Sequence, residues 1–397
     1  MTNRPRARRN RSLTKLLLIS NRYPANSDDG ASPFAADFVR RLKSNGVEVT
    51  VLTPYHDAPI FDVGYRAYRF RWGEEKRTIG SLPLWSPASW RKIGCYFRNG
   101  LRKADDLHQK IGFDFCLALW AMPAGWLAYR LHQKHALPYA VWCLGSDIHT
   151  YARLPFVQSL IVRVLRLSER IYSDGYELGY RAEELCGREV HFLPSLRKIE
   201  SELRENLPTT EKIFVCPGRV EKSKGVFDLL EAFVAVAETI PEWTLYFIGD
   251  GSARSKLEAR VSLLGLERRV KVTGFLSRDQ LFWLMAQAAA IIIPTHADSL
   301  PLTFGEAIQL RRPVIVTDVG DLRRFTEKYQ VGIVVPPGSP RHLAEALLLA
   351  SKGGPAANGR YMDCGRELDI DLAADNFTRW LAGRMDSIRS AREAARC

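Results

Sequence analysis

Apolar residues gather along this chain in short runs, each followed by a polar or glycine-bearing loop and then by a segment with helical spacing. Residues 16–20 form the first run, and the loop NRYPANSDDGASPF follows. Residues 34–43 place Phe34, Phe38 and Leu42 on one helical face, Gly46 closes that helix, and VEVTVLTP is a second strand. FDFCLALWAMPAGWLAYRLHQKHALPYAVWCLGSDIHTYA repeats strand, loop, helix, strand, and RIYSDGYELGYRAEELCGREVHFLPS adds a strand, a helix and a strand. The second half does the same: IFVCPGRVEKSKGVFDLLEAFVAV opens with a strand and enters an amphipathic helix after Gly225, and the run ending at Pro294 leads through a polar turn to LTFGEAIQL and then PVIVTDV. Strands alternating with helices predict parallel sheets covered on both faces, that is, an α/β protein with two Rossmann-like halves.

Length agrees with two domains, since 397 residues exceed what one ordinary core holds. Residues 1–14, rich in arginine and without apolar periodicity, read as a disordered basic tail. The expected first domain is 15–205, the second 206–368, and a helical segment, 369–397, ends the chain. The polar, charged stretch from Leu196 to Glu211 is taken as the linker between them. Seven scattered cysteines without CxxC pairs read as free thiols in a reducing compartment. LLLIS is too short for a signal-peptide core, and Pro123 and Gly125 interrupt the apolar stretch 115–131, so the expected location is the cytoplasm.

The net charge of +13 sits largely in the tail and in residues 65–103, where Trp85, Trp90, Tyr96 and Phe97 alternate with Arg91, Lys92, Arg98, Arg102 and Lys103. No helix-turn-helix, finger or RNA-binding signature accompanies it, so nucleic acid is not expected as a partner. A segment of this kind suits an anionic membrane surface or a lipid-linked acceptor, and it suits equally a partly buried helix with a solvated basic face.

Candidate chemistry lies at strand ends. Arg219 and Lys224, on a strand-to-helix loop closed by Gly225, form a cradle for phosphate oxygens, Arg by its planar fork and Lys as a point charge. Downstream, Asp298 precedes a helix and Glu306 lies within it, two turns from the helix start and able to reach the far end of an extended ligand. The free amides of the first turn, expected from Ser299, Leu300 or Leu302, suit an anion such as a diphosphate. Asp147 ends a buried strand, where it either orients a substrate hydroxyl or caps the following turn. His296 is either a ligand or a loop histidine. No Asp/His cluster has metal spacing and no DxD pair suited to manganese is recognised, so neither a metal nor another cofactor is expected.

PGRVEKSKGVFDLLEAF resembles the first signature of the retaining GT-B glycosyltransferases of family 4, in which a G-R-x(4)-K-G loop binds the donor diphosphate. DSLPLTFGEAIQLRRPVIVTDVGDLRRF resembles their E-x(7)-E segment, with Asp298 in place of the first Glu. The resemblance covers roughly the whole carboxyl half, in family order. It implies a GT-B fold, two Rossmann-like domains facing each other across a cleft with the last helix crossing back to the first. It also implies transfer of a hexosyl group from a nucleotide-diphosphate sugar to an acceptor hydroxyl of a glycan, glycolipid or lipid-linked precursor, retaining and metal-independent. Arg219, Lys224 and the 299–302 amides would hold the diphosphate, Glu306 the ribose, and Asp298 would face the sugar. The amino-terminal loop of such enzymes commonly carries a Gly-Gly pair; here Gly30 alone remains, and Leu117 and Leu119 stand where family histidines often occur. Two alternatives stay open: an epimerase or hydrolase of the same fold, and a catalytically silent nucleotide-sugar-binding subunit.

Overall fold

The computed structural model describes residues 13–24, 32–55, 66–74, 78–83, 85–199, 211–354 and 359–394. The chain divides into two compact units, with breaks at Tyr172/Ser173 and Ile370/Asp371 and with Cys186–Glu189 counted in the first.

The first unit is built on parallel strands β1 (Thr14–Ser20), β2 (Val47–Pro54), β3 (Arg66–Phe70), β4 (Phe115–Leu119), β5 (Tyr139–Cys143) and β6 (Arg170–Ser173), in the order β3-β2-β1-β4-β5-β6. Register is set by pairs such as Leu18 with Val51 on one side and with Leu117 on the other. Every residue from Leu16 to Ile19 and from Phe115 to Leu119 is buried, the signature of a sheet covered on both faces. The first helix, Pro33–Ser44, buries Phe34, Phe38 and Leu42, the face that its spacing predicts. The carboxyl-terminal helix, Ile370–Ala394, belongs to this unit from Asp371 onward. Its Phe377 packs 5.7 Å from Phe38, its Trp380 lies edge-on 5.5 Å from Phe115, and Arg41 donates to Asp375 at 2.7 Å.

The basic-aromatic stretch forms the long helix Pro87–Ile111. Tyr96 is buried there between Phe70 and Trp72, while Trp90 stays exposed and Trp85, just before the helix, is 87% exposed. No helix among the described residues is long and apolar enough to cross a membrane.

The second unit contains a short strand, β7 (His191–Phe192), and a parallel sheet of β8 (Ile213–Pro217), β9 (Thr244–Ile248), β10 (Val270–Val272), β11 (Ala290–Ile293), β12 (Val314–Thr317) and β13 (Gly332–Val335). Their order is β10-β9-β8-β11-β12-β13, the same reversal as in the first unit. Alternation along the strands feeds two cores. Val215, Ile291, Ile293, Val314 and Val316 point to one face, Phe214, Cys216, Ala290, Ile292 and Ile315 to the other.

The break at Tyr172 falls earlier than the boundary near 205 read from composition. Leu196 and Ile199, placed by that reading in a polar linker, are buried in the second unit's core, and Ser195 donates to Asp174 within the same unit. Two apolar side chains among charges suffice to dock a segment that looks solvated in sequence.

Candidate functional site

In an open α/β sheet, loops at the carboxyl ends of the strands diverge where strand order reverses, and the opening between them is the natural ligand site. In the second unit that point lies between β8 and β11. The two loops leaving it carry most of the residues singled out from sequence.

The β8 loop turns at Gly218, presents Arg219, makes one turn of 3-10 helix over Lys222–Lys224, and reaches Gly225. Gly225 has φ of +67°, and a Cβ there would fall 1.9 Å from the Pro294 carbonyl oxygen, so only glycine brings this loop against the end of β11. The helix Val226–Val236 follows and buries Leu229, Leu230 and Phe233. Arg219 is 66% exposed on its side chain and meets Glu221 at 2.9 Å. Lys224 donates to Asp298 at 2.6 Å, which ties the two loops together.

The β11 loop is fixed from beneath: Thr317 Oγ1 donates to the Thr295 carbonyl at 2.5 Å, and the His296 amide to the Ser223 carbonyl at 2.9 Å. His296 Nε2 lies 2.5 Å from Asp228, which makes it a loop-to-helix contact. Pro301 caps the helix Leu302–Gln309 without a side-chain hydrogen bond. Among the described residues, the amides of Ser299, Leu300, Leu302 and Thr303 find no acceptor. The Leu300 side chain itself is buried in the core, as an anchor for the loop. Unmet amides at a helix start, on the loop that Lys224 meets through Asp298, are donors of the kind that suit an anion.

Glu306 takes a position that spacing alone did not reveal. Its side chain is 2% exposed, and Arg197 donates to its Oε1 through Nε at 2.9 Å and Nη2 at 2.5 Å. Ser299 Oγ donates to Asp174 at 3.2 Å, and the Asp321 amide donates to the Ser299 carbonyl at 3.1 Å. Asp321 in turn accepts the Glu177 amide, and burial pushes its carboxyl upward. Asp174, Arg197 and Asp321 were not found from sequence. The only signal was negative, charged residues at apolar segment ends.

In the first unit, Asp147 is wholly buried. Its Oδ2 accepts the Ala121 amide at 2.7 Å, and its Oδ1 accepts those of Ile148 at 3.1 Å and Leu144 at 3.3 Å. Burial raises its pKa to about 6 against the pull of those amides. It ties the turn after β4 to the turn after β5, and it does not face solvent. Gly30 lies outside the described residues. No group of three or more His, Cys, Asp or Glu with metal-holding geometry occurs among the described residues.

A doubly wound unit with phosphate-type cations at its switch point defines a nucleotide-binding α/β protein. The comparisons narrow this: residues 198–361 match the family described as "Glycosyl transferases group 1". TuaC of Bacillus subtilis (strain 168), which bears the provisional name of a teichuronic acid biosynthesis glycosyltransferase, is 26% identical over 361 residues, 84% of this chain and 88% of that protein. Among solved structures, sucrose-phosphate synthase from Thermosynechococcus elongatus superposes with a TM-score of 0.72 at 18% identity, over 94% of this chain and 100% of that one. Anabaena HepE in complex with UDP superposes at 0.71 with 16% identity, over 93% of this chain and 100% of that one. The fold is GT-B, with two parallel-sheet Rossmann-like halves.

Proposed function

We propose that this protein transfers a hexosyl group from a nucleoside-diphosphate sugar to an acceptor hydroxyl, with retention of configuration and without a metal ion. One observation carries the reading: four unmet amides at the start of Leu302–Gln309 lie in the loop that Lys224 grips through Asp298. That arrangement matches a diphosphate in charge and in hydrogen-bonding direction.

When the sugar C1–O bond breaks, the electron pair goes to the bridging oxygen of the diphosphate. Arg219, Lys224 and the loop amides stabilise that charge, and such preorganised donors are worth about 10²–10³ in rate each. An arriving diphosphate competes with Asp298 for Lys224, which releases the Asp298 carboxylate toward the sugar hydroxyls. Glu306 accepts from the ribose. In this reading the acceptor attacks on the face from which the diphosphate departs, and its hydroxyl proton passes to the leaving diphosphate oxygen. HepE, of the same fold, was solved with UDP, and TuaC carries a name in teichuronic acid biosynthesis; both support a nucleotide-sugar donor and a glycan-type acceptor.

The acceptor is assigned to the first unit. Trp85, Trp90, Leu154 and Phe156 are exposed there, Tyr151 lies against Gly80, and residues 85–104 and 150–166 contain arginine and lysine but no acid. Exposed indoles among cations suit an anionic lipid surface that holds a lipid-linked acceptor.

The test is a screen of nucleotide-sugars for thermal stabilisation, followed by product analysis by NMR with and without a chelator. The expected result is a product with the donor's anomeric configuration, unchanged by the chelator. Near-normal turnover in both Arg219→Ala and Lys224→Ala would remove the reading. Equal sedimentation of the chain with anionic and with zwitterionic vesicles would remove the lipid-surface part alone.

A further inference from the structure

Glu306 is held by a segment that belongs to no helix or strand. Leu196 seats its side chain against Gly305, where an added Cβ would come within 2.1 Å of Leu196 Cδ1. Gln309 clamps the backbone on either side: its Nε2 donates to the Arg197 carbonyl at 2.7 Å, and its Oε1 accepts the Ile199 amide at 3.0 Å. Arg278 donates to the Lys198 carbonyl at 2.6 Å. The Arg197 guanidinium then lies 4.9 Å above the Phe282 ring, with its side chain 11% exposed. An arginine fixed through its backbone on both sides and stacked on an aromatic face is preorganised for one partner.

That partner is a single oxygen. Both Arg197 bonds end on Glu306 Oε1. Among the described residues Oε2 receives no hydrogen bond, yet it is not counted with the sealed, unpartnered polar atoms. A carboxylate so buried is otherwise expected to satisfy both oxygens within the protein.

We propose that Arg197 is a positioning residue that locks the Glu306 carboxylate with Oε1 consumed and Oε2 presented, so that the donor ribose is held through one hydroxyl and not through both. The proposal rests on the reading of this unit as the nucleotide site. A carboxylate free to turn would offer one oxygen to each of the vicinal 2′- and 3′-hydroxyls; with Oε1 taken by the arginine fork, the two compete for Oε2 alone and the better aligned one takes it. Arg197 also cancels the negative charge of Glu306, which would otherwise oppose a diphosphate in the same unit.

The experiment uses the full chain. UDP, GDP and ADP are ranked by thermal stabilisation, and the strongest is then titrated by calorimetry against its 2′-deoxy and 3′-deoxy forms. One deoxy form is expected to bind about tenfold more weakly than the parent, and the other within about twofold, because one hydrogen bond to a charged group is lost in one case only. In Arg197→Lys the positive charge is kept but the fixed fork is lost, and the gap between the two deoxy forms is expected to shrink to under about threefold. Equal losses with both deoxy forms in the wild type, or an unchanged gap in Arg197→Lys, overturn the positioning role and leave the ribose role of Glu306 standing. Parent-like binding of both deoxy forms, with Glu306→Gln also binding as the wild type, overturns the ribose role itself. If none of the three nucleotides binds, the functional reading falls first.

Discussion

Each unit places an aspartate in a loop that follows a buried parallel strand, and the two have opposite surroundings. Past the end of β5, Asp147 is fully buried and its two oxygens accept three backbone amides. Past the end of β11, Asp298 keeps about a quarter of its side chain exposed and meets Lys224, while the amides that follow it stay unmet. In the first loop the carboxylate answers three backbone amides and has no cation beside it among the described residues. In the second a lysine answers the carboxylate, and the backbone donors remain available to an anion. The same strand-loop-helix plan therefore ties a carboxylate to the backbone in one case and to a lysine in the other, and the distinction lies in which group satisfies the amides.

Removing the lysine should break the comparison hardest. Lys224→Ala deletes a cation and leaves Asp298 facing the incoming diphosphate. Transfer is expected to fall about 10³-fold, measured as kcat/KM for the donor, with the melting temperature nearly unchanged. A loss of fold instead of activity would make the Lys224–Asp298 pair a tie of the Asp147 kind.

Gly225→Ala tests the geometry that brings the loops together. The new methyl meets the Pro294 carbonyl and a left-handed backbone at once, so a loss of about 2–3 kcal/mol in stability is expected, read by denaturant titration. Wild-type stability would show that the β8 loop shifts freely and does not frame a site.

Asp147→Asn sharpens the other half. The amide keeps one acceptor and turns an N–H toward a backbone N–H, so a destabilisation of about 2 kcal/mol is expected at pH 7. The pH profile is more specific. Because the folded pKa is raised to about 6 from the ordinary 3.8, the folded state binds the proton more tightly than the unfolded chain. Stability from this group is fully present below the ordinary value and is lost as pH rises through about 6, on the order of 3 kcal/mol in total for a buried group. The asparagine variant should lack that decline. An identical decline in both proteins would place the titration elsewhere.

Both sheets were legible because parallel strands covered on both faces are apolar throughout: Leu16 to Ile19 and Ala290 to Ile293 stand out without any partner being known. Arg219 and Lys224 stand out in sequence as two cations within one local stretch, from Gly218 to Gly225. The remainder of the site is assembled across the chain. Arg197 reaches Glu306 over 109 positions and Ser299 reaches Asp174 over 125, and no periodicity links them. Asp147 shows the same limit from the other side, since a carboxylate at a strand end reads alike whether it faces solvent or three amides.

The smallest expected effect concerns Glu221, which holds Arg219 at 2.9 Å on an exposed loop. Exposed ion pairs contribute little, about 0–1 kcal/mol, because water screens the charges and two side chains must be ordered. Glu221→Gln should therefore change stability by less than about 0.5 kcal/mol. Its effect on the site depends on what Glu221 does to the arginine. If it merely occupies the guanidinium in the empty loop, a donor phosphate must displace it, and the glutamine variant should bind nucleotide up to a few times more tightly. If it aims the guanidinium at the phosphate, binding should weaken instead. Calorimetric titration of the best-binding nucleotide against both proteins separates the two. Weaker binding would mean that the exposed loop, like the buried turn at Asp147, depends on a carboxylate to hold its donors in place, and the contrast between the two regions would be one of degree.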